Sequence, residues 1–471
     1  MRRRQHTILS GIGFAAAVAI GCGGGGDATG DAGVPDAGAS DAGASDAPGT
    51  ITQPTQAALA AADLDKLPVA PQGERIDIEA PTFTNPAEIT NPLFPISDLH
   101  SVIFSGTVEG KPFHTETTLL PETRVIEWSE GQEVETRVSQ YFAYVDGRIE
   151  EVALDYYAQA DDGAVWYLGE DVFDYNEEGF VDSFSGTWLA GKEGPAEMIM
   201  PADPQVGDAF RPENIPGVAF EEVRIKTIDK TVDGPTGPVE GAMVARELHD
   251  DGTYSDKVFA PGYGEFFSGH GSEIEAMALA VPTDALDGPP PAELEELSAA
   301  ANDLIDASSS GDWKSTAPSE QAAMRAWDTY RRGQVPPRLA KEMDRALDEL
   351  TAGIDARDQE QAGNAAIDVA QSTLDLELRY LPPTEIDLAR FELWARQILV
   401  DAAADQVGGV RADIATLEWT RDRFDDTLDS ADLARIDTHL IELRDSVSFA
   451  SEDLAAATRE AASLRDTLAG L

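Results

Sequence analysis

The sequence predicts an α+β protein of two domains: an antiparallel β-meander, folded as a barrel, half-barrel or sandwich, followed by an all-α antiparallel helical bundle. Between residues 81 and 285, runs of alternating, β-branched and aromatic residues are separated by turn dipeptides such as Glu109-Gly110. After Pro289-Pro290-Pro291, apolar residues recur at three- and four-residue steps, as in amphipathic helices. The second domain is therefore expected to span residues 286–471.

Residues 1–21 have the features of a bacterial lipoprotein signal peptide. Basic Arg2-Arg3-Arg4 precede an apolar run from Ile8 to Ile20, which is shorter than the roughly 20 residues that a membrane span needs. Cys22, the only cysteine, follows Gly21 at the position where such signals are cleaved and lipidated. We therefore expect a lipid on Cys22; an ordinary signal peptide with an incidental cysteine is the alternative.

Residues 22–80 are predicted to be the lipidated N-terminus and a disordered tether rich in Asp, Ala and Gly. Asp-Ala-Gly units recur at Asp31, Asp36 and Asp41, and such sequence has too little apolar surface to offset the entropy of ordering. A short helix over residues 56–67 is the one element expected there. The tether would hold the folded domains away from the lipid surface.

The β domain, residues 81–285, is expected to contain about 8–11 strands. Its strongest hairpin signal is Asp161-Asp162-Gly163, because glycine supplies the positive φ of a tight turn. The predicted strands cover residues 101–108, 124–128, 134–145, 150–160, 164–169, 179–189, 221–231, 242–249 and 255–259.

The helical domain is expected to be a bundle of about six antiparallel helices. Leu339, Met343 and Leu347 begin an apolar stripe on the first of these. Pro382-Pro383 and Gly408-Gly409 separate later helices, and one long final helix is predicted over residues 433–468.

Five segments follow one another in the β region: Ile89–Pro95, Tyr157–Glu170, Gly186–Trp188, Ile199–Asp208 and Lys257–Gly264. In their order and spacing they resemble a family of uncharacterised secreted or lipid-anchored bacterial β domains. The family usually has an acidic residue and Trp before the first tyrosine, where this chain has Asp155-Tyr156-Tyr157. The resemblance implies an extracytoplasmic β domain and brings no activity. The helical half is similar to companion domains of bacterial envelope proteins.

Aromatic residues concentrate on neighbouring predicted strands of the β domain. Core packing and cross-strand pairing account for most of this pattern. If some of these rings face a concave lumen, they would line a pocket for an apolar or sugar ligand. The candidate ligand-binding residues are therefore Tyr156, Tyr157, Trp166, Tyr167 and Trp188.

The remaining motifs predict no catalytic residue, metal site or cofactor. His270 lies between two glycines and is expected to be an exposed turn histidine. Asp174-x-Asn176-x-Glu178-Gly179 partly imitates a calcium loop, but Ser185 stands where that loop has its bidentate Glu. His439-x-x-Glu442 reverses the order of a di-iron helix motif.

Paired carboxylates of the kind that a glycosidase uses occur around the hairpin. They are Asp161, Asp162 and Glu170, although turn aspartates usually serve the geometry of the turn. A hydrolase is for this reason the least favoured hypothesis.

The chain is strongly acidic, with 87 Asp and Glu against 34 Lys and Arg. Phosphate binding needs a basic surface, so nucleic acid is excluded as a partner. An anionic membrane face would also repel the chain, which leaves the lipid on Cys22 as its attachment.

These observations favour a non-enzymatic cell-envelope lipoprotein, preferentially on the outer membrane, facing the periplasm or the surface. Its β domain would be a binding or interaction module, and the helical bundle a partner-docking or spacer domain. A periplasmic carrier of a lipid or other hydrophobic ligand in a half-open β-barrel is the alternative. An Asp/Glu-dependent hydrolase comes third. The expected partners are the membrane, an envelope protein or a small hydrophobic ligand.

Overall fold

The computed structural model describes residues 49–471, which form an antiparallel β domain followed by a helical domain. The predicted signal peptide, Cys22 and the start of the tether lie outside the described residues. The predicted α+β, two-domain class is confirmed. The strands are β1 Ser101–Val108, β2 Lys111–Ser129, β3 Gln132–Val145, β4 Arg148–Gln159, β5 Val165–Tyr175, β6 Val181–Ser183, β7 Trp188–Leu189, β8 Glu197–Met200, β9 Ala209–Ile215, β10 Ala219–Gly234, β11 Gly237–His249, β12 Tyr254–Ala260, β13 Gly264–His270 and β14 Glu273–Val281.

All fourteen strands belong to one sheet, which is more than the 8–11 expected. Their order is β6-β5-β4-β3-β2-β1-β14-β13-β12-β11-β10-β9, with β7 and β8 also paired to β5. The first and last strands are therefore antiparallel neighbours, but the strand pairing does not close into a ring. The sheet curls enough that the carboxyl group of Glu213 on β9 interacts with that of Glu170 on β5.

The two faces of the sheet have different environments. On β3, Tyr141 and Ala143 belong to the apolar core on the concave side, whereas Phe142 and Tyr144 pack with helical residues on the convex side. This follows from the alternation of side chains along a strand. We call the concave side the sheet interior.

Residues 49–80, which fall within the predicted tether, pack on the β domain. Helix α1 spans Gln56–Ala61, and Ile51 is buried. Arg75 forms a parallel bridge to Ala209, so this segment covers the exposed edge of β9. The Asp77 carboxylate accepts a hydrogen bond from the backbone N–H of Arg211 at 2.9 Å. A prediction based on apolar content does not detect buried polar contacts of this kind.

Eight helices follow the sheet, where about six were predicted. They are α2 Ala292–Ser310, α3 Trp313–Tyr330, α4 Pro337–Ala356, α5 Gln359–Glu377, α6 Pro383–Ala403, α7 Val407–Arg421, α8 Ser430–Ser446 and α9 Leu454–Leu468. The predicted long final helix is thus two helices. Helix α8 ends at Ser446, and the Asp453 side chain caps α9 by accepting a hydrogen bond from the backbone N–H of Ala456. Within residues 49–471, no helix has the length and apolar character to cross a membrane.

The bundle packs on the convex face of the sheet through apolar and polar contacts. Ile103 of β1 and Leu279 of β14 share a buried cluster with α2, α4 and α5. At one point the two domains meet backbone to backbone. A Cβ on Gly408, at the start of α7, would lie 2.5 Å from the carbonyl oxygen of Glu177 in the β5–β6 turn.

Candidate functional site

A cavity of about 560 Å³ lies between the two domains. The β1–β2 and β3–β4 hairpins form one wall, and α4, α5, α6 and α7 form the other. Nine carboxylates and four Lys or Arg side chains line it, so its lining carries a net negative charge. We call it the interdomain cavity, and its volume is typical of small-molecule sites.

One group in the cavity surrounds His114 of β2. Its Nε2 lies 3.6 Å from Oε1 of Glu116, and Glu342 of α4 and Asp375 of α5 also line this region. Burial lowers the pKa of His114, but the three carboxylates outweigh burial and raise that pKa to about 9. His114 is therefore an imidazolium at neutral pH.

Behind this group, Glu116 is held by two buried arginines of the helical domain. Its Oε2 accepts from Nη1 of Arg423 at 2.6 Å, and its Oε1 lies 3.3 Å from Nε of Arg390. Burial raises the pKa of Glu116, but the two guanidinium groups and His114 outweigh it and hold that pKa well below its usual value. Arg390 also binds Asp375 at 2.7 Å.

The donor set of His114, Glu116 and Asp375 is geometrically compatible with a metal ion, since their ligand atoms lie within 4.8 Å of one another. Its electrostatics favour a different role. The guanidinium groups of Arg390 and Arg423 already neutralise both carboxylates and would repel a metal cation placed between them. This group is a buried ion-pair network that joins the two domains.

A second group in the cavity contains Asp401 of α6 and Asp413 of α7. Asp401 accepts from Nε2 of Gln397 at 3.0 Å and pairs with Nη1 of Arg148 at 3.2 Å. Asp413 is buried, and its Oδ2 has no hydrogen-bond partner among residues 49–471. Burial, and then the charge of Asp401, raise the pKa of Asp413 well above its usual value. We call these two residues the Asp401–Asp413 pair.

The two groups lie towards opposite ends of one face of α5. Gln371 donates to Asp375 at 3.1 Å near the first group, and Asn364 accepts from Gln397 at 2.9 Å near the second. Asn364 and Asp375 are eleven residues apart, which corresponds to about 16 Å along a helix. Tyr144, which lies beside His114, stacks on Trp394 in the cavity wall, with ring centroids 5.4 Å apart. The cavity thus extends along α5 from the ion-pair network at one end to the Asp401–Asp413 pair at the other, with aromatic rings in its wall.

The aromatic residues singled out from the sequence lie elsewhere, inside the β domain. All five are at most 2 % exposed and belong to its main apolar core. Three of the rings contact one another: Tyr157 stacks on Tyr167, with centroids 4.8 Å apart, and Tyr167 meets Trp188 edge-on. A ligand-binding role for Tyr156, Tyr157, Trp166, Tyr167 and Trp188 stays a prediction, while core packing accounts for their contacts.

The three carboxylates of the hydrolase hypothesis do not share an accessible cleft. Asp161 is exposed and accepts from the backbone and side chain of Thr84. Asp162, also exposed, accepts from the backbone N–H of Ala164 and so serves its own turn. Glu170 is fully buried in the sheet interior.

The calcium-like segment, His270 and His439 each form contacts with other residues of the fold. Oδ1 of Asn176 accepts from the backbone N–H groups of Glu178 and Phe180, so the calcium-like segment is a hydrogen-bonded turn. His270 contacts the carbonyl oxygen of Tyr254 through Nδ1 at 2.8 Å. His439 joins α8 to α9 by contacts with Glu460 and Thr467.

Sequence reasoning missed the interdomain cavity. Its walls come from residues more than two hundred positions apart, and no local spacing links Asp146 to Asp413. One signal was present, the row Asn364, Asp368, Gln371 and Asp375, which places polar groups on one face of a mostly apolar helix. Compared with known proteins, this chain matches no family model, no curated protein and no solved structure.

Proposed function

We propose that this protein is a lipid-anchored envelope protein that binds an elongated organic cation of the polyamine class in the interdomain cavity. The observation that carries the proposal is Asp413, a buried carboxyl group without a hydrogen-bond partner in the described chain, in a cavity with an excess of acidic groups. A buried carboxylate needs a compensating cation or a proton. A ligand ammonium group supplies that cation.

The shape of the cavity supports an extended ligand. The cavity follows α5 over about 16 Å. The carboxylates outside the arginine network, Glu342 near one end and the Asp401–Asp413 pair at the other, match a chain with amino groups at both ends. The stacked Tyr144 and Trp394 line the cavity, and aromatic faces attract ammonium groups as well as methylene chains. A linear polyamine has both ammonium groups and methylene chains.

The same lining disfavours the hydrophobic carrier. Thirteen of the lining side chains are Asp, Glu, Lys or Arg, and an apolar ligand would desolvate them without giving hydrogen bonds in return. The sheet interior, in which the carrier would hold its lipid, contains many buried carboxyl groups, among them Glu151, Asp155 and Glu265.

In this proposal the two domains share one binding site and are not independent modules, because both contribute residues to the cavity. The β domain supplies His114 and Arg148, and the bundle supplies Asp375, Asp401 and Asp413. In this proposal the lipid on Cys22 keeps the binding domain at the membrane, and the strong negative charge raises the local concentration of cations. The resemblance of the β region to secreted and lipid-anchored domains supports the same location.

Calorimetric titration of the detergent-solubilised full chain tests the ligand class. Spermidine is expected to bind at least tenfold more tightly than propylamine, which carries a single ammonium group. Asp413→Asn, which keeps the shape of the side chain and removes its ability to ionise, should weaken spermidine binding at least tenfold. Asp203→Asn changes an exposed carboxylate remote from the cavity and should leave affinity unchanged.

Two outcomes would overturn the polyamine assignment: equal affinity for spermidine and propylamine, or undiminished binding by the Asp413→Asn protein. The anchor is tested separately. Cells fed a labelled fatty acid should incorporate it into the protein, and Cys22→Ser should abolish the label. An unlabelled wild-type protein would contradict the lipoprotein assignment.

A further inference from the structure

The sheet interior contains a second cluster of ionisable groups, separate from the interdomain cavity. Glu221 of β10 is the register partner of His249 on β11. Glu247 lies two residues before His249, so its side chain projects from the same face of the strand. Nδ1 of His249 lies 3.6 Å from Oε1 of Glu221, and the ligand atoms of the three residues lie within 4.8 Å of one another.

Two of these residues have carboxylate oxygens that the protein does not satisfy. Both oxygens of Glu221, and Oε1 of Glu247, are buried without a hydrogen-bond partner in the described part of the chain. Both side chains are fully buried. Buried carboxylate oxygens normally have at least one hydrogen-bond partner or bind a cation.

The hydrogen bonds around the cluster leave two potential metal-ligand atoms available. Nε2 of His249 contacts the Ser255 hydroxyl at 3.0 Å, and that hydroxyl donates to Oε2 of Glu247 at 3.2 Å. Lys257 also pairs with Oε2 of Glu247, at 2.9 Å. Nδ1 of His249 and Oε1 of Glu247 therefore remain available. This is the arrangement of a metal-binding histidine whose second nitrogen is held by an outer hydrogen bond.

The local charge also calls for a cation. Glu221, Glu247 and Glu265 all act on Lys257, which is itself completely buried. Lys257 and His249 together supply at most two positive charges against three carboxyl groups, and both oxygens of Glu265 are buried without a partner within residues 49–471. A divalent cation would supply the missing charge.

From this geometry we propose that Glu221, Glu247 and His249 bind a divalent transition-metal ion of the Zn²⁺ class. Such an ion lies about 2.0–2.2 Å from imidazole nitrogen and carboxylate oxygen. Two donor atoms 3.6 Å apart therefore fit neighbouring positions of one coordination shell. Three protein ligands leave a further position for water.

The position of His249 near the protein surface would let an ion reach the site. It is the last residue of β11, beside the turn formed by residues 250–253, and its side chain is 13 % exposed. Glu221 and Glu247 lie deeper. Because the ligands come from two adjacent strands of the same sheet, the bound ion would stabilise the pairing of β10 with β11.

The test uses the detergent-solubilised full chain, treated with a chelator and then dialysed. Titration with Zn²⁺, and with Mn²⁺ in a parallel experiment, should reveal a single high-affinity site, and Zn²⁺ should raise the unfolding temperature. Glu221→Gln and His249→Gln should each weaken Zn²⁺ binding at least tenfold. Glu275→Gln is the matched control, since Glu275 is another buried carboxyl group of the sheet interior outside this cluster.

Loss of binding must be separated from loss of folding. Glu221→Gln removes one partner of the buried Glu221–His249 ion pair, so the metal-free variant should still unfold cooperatively but at a somewhat lower temperature than the metal-free wild type, and Zn²⁺ should raise the unfolding temperature of the wild type but not of this variant. Asp413→Asn, in the interdomain cavity, should bind Zn²⁺ normally, which keeps this inference independent of the polyamine proposal. A wild-type chain that binds neither ion, or site variants that bind Zn²⁺ as tightly as the wild type, would overturn the assignment.

Discussion

Glu116 on the sheet and Arg423 in the helical domain form a buried ion pair, with Oε2 and Nη1 2.6 Å apart. They are separated by more than three hundred positions in the chain and are each at most 3 % exposed. Arg423 also donates from Nε to Oε1 of Gln140 at 2.7 Å and lies over the ring of Phe142. One arginine therefore contacts two strands of the sheet and fixes how the bundle sits on it.

Replacing Glu116 with glutamine tests this linkage. The variant leaves Arg390 and Arg423 buried with less than their compensating charge, so the free energy of unfolding should fall by about 3–5 kcal/mol. Urea denaturation followed by tryptophan fluorescence measures the change. Glu133→Gln, at an exposed position on β3, should shift the midpoint little. A Glu116→Gln protein as stable as the control would show that the network contributes nothing.

Glu275 in the sheet interior makes stability depend on pH. Burial raises its pKa to about 7, against the opposing effects of a hydrogen bond from Thr115 and the charge of Lys257. An unfolded glutamate has a pKa of about 4.3, so the folded state holds the proton more tightly. Its stabilising contribution is present below about pH 4.3 and is lost as pH rises towards 7. The loss amounts to about 4 kcal/mol at roughly 1.4 kcal/mol per pKa unit.

Urea denaturation at pH 5 and pH 8, with a chelator present, measures this effect. Wild-type protein should lose more stability between these values than Glu275→Gln, which has no proton to release and keeps an acceptor for the Thr115 hydroxyl. Parallel pH profiles for the two proteins would contradict the raised pKa of Glu275.

Tyr167 offers a test of whether the interior aromatic residues are structural. Its hydroxyl donates to Oδ1 of the fully buried Asp155 at 2.6 Å. Tyr167→Phe keeps the ring and deletes this hydrogen bond, so the free energy of unfolding should fall by about 1–3 kcal/mol. Tyr254→Phe, at a side chain 45 % exposed, is the matched control. Unchanged stability of the Tyr167→Phe protein would remove the structural explanation and favour the predicted ligand-binding role.

The strands that the sequence predicted are those with apolar residues on alternate positions. β9, with the sequence Ala-Phe-Arg-Pro-Glu-Asn-Ile, was missed although all seven residues are buried. Its Arg211, Glu213 and Asn214 look like solvent-facing residues in sequence, yet all three are buried, with Arg211 hydrogen-bonded to Glu222 and Asn214. The same property concealed Glu221 and Glu247, because alternation alone cannot distinguish a polar interior from a polar surface.

The sequence predicted that the second domain is all-α, but it did not predict the number of helices. An apolar stripe identified α4, yet α2 and α3 were not assigned, although α2 buries Leu294, Leu297 and Leu304 at helical spacing. The interdomain cavity was beyond prediction for another reason. It depends on how the bundle sits on the sheet, and that placement is set by long-range pairs such as Glu116 with Arg423.

Gly408 tests the close backbone contact between the domains. An alanine Cβ there would lie 2.5 Å from the carbonyl oxygen of Glu177 and 3.3 Å from the Cα of Glu178. In an unobstructed helix, Gly→Ala stabilises by about 1 kcal/mol, so a clash would reverse the sign of the effect. We expect Gly408→Ala to lower the free energy of unfolding by about 1–3 kcal/mol, measured by urea denaturation. Gly73→Ala, where no atom lies within 4 Å of the new Cβ, is the control. A stabilised Gly408→Ala protein would mean that the turn and α7 separate easily, because the helix would then show only its intrinsic preference for alanine.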